Sequence, residues 1–242
     1  MMTYGNIPIN ECGEPLVPIP ERLFAYFDPP PYAALGAPYG EASPWMLRQQ
    51  VLAALICAQA RLQEQRPGWK IMLFDVYRPL SVQAYMVERE FGIKAREAGL
   101  DPENLTREQR DTLAKKVFTY WSPPNDDPAS PPPHSTGAAV DITLADEQGR
   151  EVDMGSPCDH GAPPAAPDYF ATATDEAGRQ AHANRLLLRK CMLVEGFRQY
   201  PTEWWHFSRG DQTWAWLERE NGSNPNAVAI YGRADGIKTA GI

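Results

Sequence analysis

Two histidines, an aspartate and a glutamate carry the chemical content of this chain. His134 is followed by Asp141, with Gly137 and then small or apolar residues between them. Towards the other end, Glu203 precedes His206 in the run Tyr200-Pro201-Thr202-Glu203-Trp204-Trp205-His206-Phe207. Two imidazoles and one carboxylate make a three-ligand zinc site whose fourth position stays open for water, as a catalytic zinc requires. A glutamate close by that is not itself a ligand is what such a site needs as a general base. The expected ligands are His134, Asp141 and His206, and the expected base is Glu203. The plainer reading makes them a loop histidine, a strand aspartate and a surface glutamate, each bonded locally. Against it, a carboxylate in an apolar segment seldom lacks a cation or a hydrogen-bond network. The remaining histidines are expected elsewhere: His182 on the polar side of a helix, His160 in a short loop beside Cys158 and Asp159.

These residues need elements to hold them. Pro131, Pro132 and Pro133 stiffen the approach to His134, and Gly137 allows a tight turn into a strand over 137–144. Ala138, Val140, Ile142 and Leu144 form its apolar face, which leaves Asp141 on the other. In a regular strand Glu203 and His206 would point to opposite sides, so Glu203 is placed in the turn after Pro201, ahead of a strand reaching Ser208. A helix is predicted from Ser43-Pro44 to Pro67-Gly68, then a strand over 69–76 that ends in Asp75, Tyr77 and Arg78. Helices are predicted over 80–98, 106–120 and 175–194, a hairpin turn at 146–149, a short strand over 151–153, and a long irregular loop over 158–174. The sum is one α+β domain: a small antiparallel sheet carries the metal site, with helices packed on it. Residues 1–43 read as an extended segment wrapping a main domain of 44–242.

Composition narrows the field. A net charge of −8 with no basic cluster argues against nucleic acid or an anionic membrane as partner. No stretch approaches the roughly 18 apolar residues of a membrane span. The four cysteines show neither C-x-x-C spacing nor a disulfide framework, and Cys57 and Cys191 read as reduced core residues. The first residues lack a basic and an apolar signal region, so a cytoplasmic protein is expected.

Taken in order, Asp75-Val76-Tyr77-Arg78-Pro79, His134-Ser135-x-Gly137-x-Ala139-x-Asp141, Met154-Gly155-Ser156 with Asp159, and Glu203-Trp204-Trp205-His206 form a pattern. Between Trp69 and Ser208 it resembles the zinc D-Ala-D-Ala dipeptidases, relatives of the D,D-carboxypeptidases. The resemblance implies one Zn2+ per chain and hydrolysis of D-Ala-D-Ala, or a similar short dipeptide, by a zinc-bound water. It implies that Arg78 binds the substrate and stabilises the oxyanion, and that Asp159 holds the substrate's ammonium group. The family pattern has a serine where this chain has Pro132, and residues 161–167 form a proline-rich insertion near the pocket mouth. Two alternatives remain: a D,D- or L,D-carboxypeptidase acting on cell-wall peptides, and a catalytically silent zinc-binding module. The oligomeric state stays open, and the mixed nitrogen and oxygen ligands would also tolerate cobalt or manganese.

Overall fold

The computed structural model describes residues 4–161 and 163–235. The chain opens with β1 (Leu16–Pro18), β2 (Ala25–Tyr26) and the single-turn α1 (Pro31–Ala34). β3 (Met46–Arg48) runs directly into α2 (Gln49–Gln65), followed by β4 (Lys70–Asp75), α3 (Leu80–Glu97) and α4 (Arg107–Val117). After a proline-rich stretch come β5 (Ala139–Ala145), α5 (Glu176–Val194), β6 (Arg198–Gln199), β7 (His206–Ser208) and α6 (Gln212–Glu220).

The main sheet has the order β2-β4-β5-β7-β6. β5 lies at its centre, antiparallel to β4 and β7, and all seven of its residues are buried. Val140, Ile142 and Leu144 project into a core shared with Ile71 and Leu73 of β4, Leu55 and Leu62 of α2, and Leu188 and Met192 of α5. Fully burying a side chain of this size stabilises the fold by roughly 1.5–3 kcal/mol. Asp141 lies on the opposite face, as the alternation of β5 requires. A second cluster joins α3 and α4 through Val82, Met86, Phe91, Leu113 and Val117, with Tyr32 and Trp121 at its edge. Thr106 starts α4 with a capping box: its side chain accepts the Gln109 N–H while Gln109 reaches back.

Several expectations need correcting. The helix expected from Ser43 begins at Gln49, because Met46–Arg48 pair antiparallel with β1 instead. The sheet is not purely antiparallel, since β2 runs parallel to β4. The strand expected over 151–153 is a single bridge between Ala145 and Glu151. Cys57 is exposed, at the edge of the α2 stripe, while Cys191 is buried. α6 was not anticipated, although Asp211 caps it by accepting the Trp214 N–H.

Candidate active site

The site is assembled where β4, β5 and β7 run side by side. His134 sits in a 3-10 turn (Pro133–Thr136) that ends at Gly137, whose φ of +70° is left-handed. A Cβ there would run into Leu16, so only glycine turns the chain tightly enough to enter β5 at this point. His206 opens β7, and the register pairs it with Asp141. A register shift between Leu73 and Asp75 places Asp75 opposite Asp141. Such a bulge re-aims the end of β4 towards the site.

The result is a tight cluster. His134 Nε2 lies 3.2 Å from His206 Nδ1 and 3.3 Å from Asp141 Oδ2, and His206 Nδ1 lies 2.9 Å from Asp141 Oδ1. All three residues are buried, and no other group of three such residues among those described converges in this way. The far nitrogen of His134, Nδ1, donates to the Val76 carbonyl oxygen at 2.9 Å, which leaves Nε2 with a lone pair. Two imidazole lone pairs and a carboxylate aimed at one point repel one another unless a cation lies between them. Their spacings are close to the edge of about 3.3 Å of a tetrahedron with bonds of about 2.0–2.1 Å. Burial opposes a charge on His134, yet Asp141 and Asp75 overcome it and raise its pKa. At His206 burial dominates and lowers it. Burial also works against the charge of Asp141, but the two imidazoles hold its carboxyl below the usual range. The donor set fits a divalent metal.

A cavity of about 770 Å³ opens over the cluster and is lined by Arg78, Asp159 and Glu203 among others. Arg78 is held on several sides. Asp75 Oδ2 accepts from its Nε at 3.0 Å and its Nη2 at 2.8 Å, and Gln83 Oε1 accepts from Nη1 at 2.8 Å. The Tyr32 and Trp121 rings lie 4.9 and 5.2 Å from its Cζ. Burial opposes its charge, but Asp75, Tyr32, Asp141 and Asp159 together keep the guanidinium firmly protonated. Its backbone N–H donates to the His134 carbonyl, so the arginine and the histidine turn are fixed to each other.

Glu203 lies in the turn after Pro201, outside β7, which begins at His206. Trp204 anchors that turn: its N–H donates to the Ala165 carbonyl and its indole to Ser156 Oγ at 3.0 Å. Desolvation pushes the Glu203 carboxyl well above its ordinary value, with the charges of Asp141 and Asp159 adding to the effect. Asp159 has a φ of +57°, unusual for a side chain with a Cβ, and accepts from the Tyr32 hydroxyl at 3.0 Å. The residue is exposed and lines the cavity. Desolvation there pushes its pKa up to about 7, against the lowering pull of Arg78.

The other histidines stand apart: His160 is exposed, and His182 lies in α5. The sequence reading missed the residues that hold Arg78, namely Tyr32, Gln83 and Trp121. Gln83 lies in the first turn of α3, five residues after Arg78, while Tyr32 and Trp121 come from distant segments, and no local pattern announces them. It also missed Ser208 and Asp211, although an aspartate ahead of a helical apolar pattern is a cap signal.

A cluster that could hold a metal ion, on the wall of a cavity with an arginine and a glutamate beside it, is the arrangement a metallopeptidase needs. The chain belongs to the D-Ala-D-Ala dipeptidase family of peptidases, whose pattern it matches over residues 27–222. It is 42% identical to a D-alanyl-D-alanine dipeptidase of a Synechocystis species over 238 residues, 96% of each chain. A D-alanyl-D-alanine dipeptidase of Enterococcus faecalis is 31% identical over 66% of this chain and 71% of that protein. One of Escherichia coli is 29% identical over 67% and 65%. A solved LD-carboxypeptidase structure is similar over 92% of this chain and 85% of its own, with a TM-score of 0.45 and 15% identity.

Proposed function

We propose that this enzyme is a zinc-dependent dipeptidase that hydrolyses D-Ala-D-Ala or a similar short dipeptide. The observation that carries the metal assignment is the convergence of His134 Nε2, His206 Nδ1 and the Asp141 carboxylate, spaced 2.9–3.3 Å apart. Zinc bound there would supply Lewis-acid polarisation of the scissile carbonyl and a water acidified to a pKa of about 7. Glu203 takes the proton of the attacking water and passes it to the nitrogen of the leaving amino acid. Desolvation raises its pKa, with the charges of Asp141 and Asp159 adding to the effect, the direction that suits a group taking up a proton it must later pass on. Arg78, fixed by Asp75 and Gln83, donates to the carbonyl oxygen as negative charge develops there.

Asp159 receives the substrate's ammonium group. A cation entering the cavity loses part of its water, and a carboxylate facing it offsets that loss. The four cysteines are free, which suits a reducing compartment. The test compares D-Ala-D-Ala with N-acetyl-D-Ala-D-Ala on the wild type and on Asp159→Asn. The free dipeptide is expected to be preferred by about 10²-fold, or about 3 kcal/mol, with most of the preference lost in the variant. A chelator should abolish both activities. Equal cleavage of both compounds by the wild type would replace the dipeptidase with a carboxypeptidase.

A further inference from the structure

Asp211 is a buried carboxylate, 1% exposed, with no part in the chemistry above. Its two oxygens have separate partners. Oδ1 accepts the Trp214 N–H at 2.8 Å and so caps α6. Oδ2 accepts the hydroxyl of Ser208 at 2.9 Å. Ser208 is itself fully buried, and its Oγ lies 3.3 Å from His206 Nε2. The strand makes this possible: His206 and Ser208 are two residues apart in β7 and face the same side. Gly210, with a φ of +89°, then turns the chain so that Asp211 comes back beneath the serine.

The proton count fixes the direction of the chain of bonds. A serine hydroxyl has one hydrogen, and here it goes to Asp211. Only lone pairs remain for the imidazole, so His206 Nε2 must be the protonated nitrogen. Nδ1 is then left with its lone pair, and Nδ1 is the atom that faces Asp141 and His134. At His134 the Val76 carbonyl does the same work directly.

We propose that Ser208 and Asp211 are positioning residues, a relay that holds His206 in the Nε2–H tautomer and so presents Nδ1 to the metal. The proposal rests on the metal-site reading above. A helix cap alone requires Oδ1 of Asp211 and gives Ser208 no task. Asp211→Asn therefore separates the two roles: the amide oxygen keeps the cap, while its NH2 meets Ser208 as a donor and reverses the relay. Ser208→Ala deletes one buried oxygen and leaves the cap untouched.

Two readouts test the idea on wild type, both variants and the double variant. The first is zinc affinity by chelator competition. Each single variant should lose about 10- to 100-fold, and the double variant should lose no more than the weaker single, because the two residues act as one unit. The second is the imidazole 15N spectrum of His206 in metal-stripped protein, which reads the tautomer without any catalysis. Wild type should be in the Nε2–H form and Ser208→Ala a mixture. Zinc affinities within about threefold of wild type in both single variants, or an unchanged tautomer in Ser208→Ala, would overturn the relay. A wild type that binds no zinc would overturn the metal-site reading first, which the wild-type measurement alone reveals.

Discussion

Glu203 and Arg78 are the two residues whose chemistry depends most on what surrounds them. A half-buried carboxylate near the charges of Asp141 and Asp159 resists ionisation, so Glu203, as the proposed base, is neutral in acid and becomes competent only as the pH rises through its raised pKa. The value of kcat/KM should accordingly climb with pH along a limb lying above the ordinary carboxylate range. Glu203→Gln keeps the size and removes the basic oxygen. It should bind one metal per chain, lose about 10²–10⁴ in rate, and no longer show that limb in a pH–rate profile. Loss of metal together with activity would make Glu203 a ligand instead. Arg78 presents a planar fork that Asp75 grips through two nitrogens while Gln83 holds a third. Arg78→Lys keeps the charge but cannot reproduce the fork. Steady-state kinetics should show kcat falling by about 10²-fold, with a smaller change in KM. An unchanged kcat/KM would leave the arginine a purely structural partner of Asp75.

At the scale of elements, the site is the meeting of one glycine turn, one buried strand and one short strand. Gly137 is the hinge of that arrangement. Gly137→Ala puts a Cβ against Leu16 in a left-handed conformation, so the His134 turn must shift. A loss of about 1–3 kcal/mol in denaturant unfolding is expected, accompanied by weaker metal binding. A variant that binds metal normally would show that the turn tolerates the displacement. Much of this architecture was legible in advance. The apolar alternation of β5, its glycine and the spacing of His134 and Asp141 are local signals. So are the long stripes of α3 and α5. Placing Glu203 in the turn after Pro201 also followed from strand parity, and the chain does turn there. What stayed hidden depends on remote partners. Ser43-Pro44 looks like a helix start, yet Met46–Arg48 extend because β1, far back in the chain, offers them backbone partners. β2 joins the sheet in parallel through only two residue pairs, too short to leave a pattern. Tyr32 reaches Asp159 and Arg78 across more of the chain than any motif spans.

Across the whole molecule, the metal turn is held from behind by both ends of the described chain. Arg48 is fully buried, and its guanidinium donates to the carbonyl oxygens of Thr136, Glu14 and Gly232 and to the Glu11 carboxylate. Ala234 N–H donates to the Ser135 carbonyl, and the Tyr77 hydroxyl donates to Asp235. The turn that presents His134 is thus shared by the N-terminal segment, the sheet and the C-terminal segment. Unfolding any of them loosens the proposed ligand set. A metal bound by that set is therefore linked to global stability, because the unfolded chain offers no comparable site. At a free zinc concentration 100 times Kd the stabilisation is about 2.7 kcal/mol. For a chain of this size that corresponds to a rise in Tm of about 5–11 °C. His206→Ala keeps two ligands on the Arg48-braced side but loses the one on β7, so it should melt at the same temperature with and without zinc. Differential scanning calorimetry of both proteins, stripped and zinc-loaded, makes the comparison. A zinc-dependent rise that survives in His206→Ala would mean that the stabilising ion sits elsewhere, and the three-ligand centre would have to be redrawn.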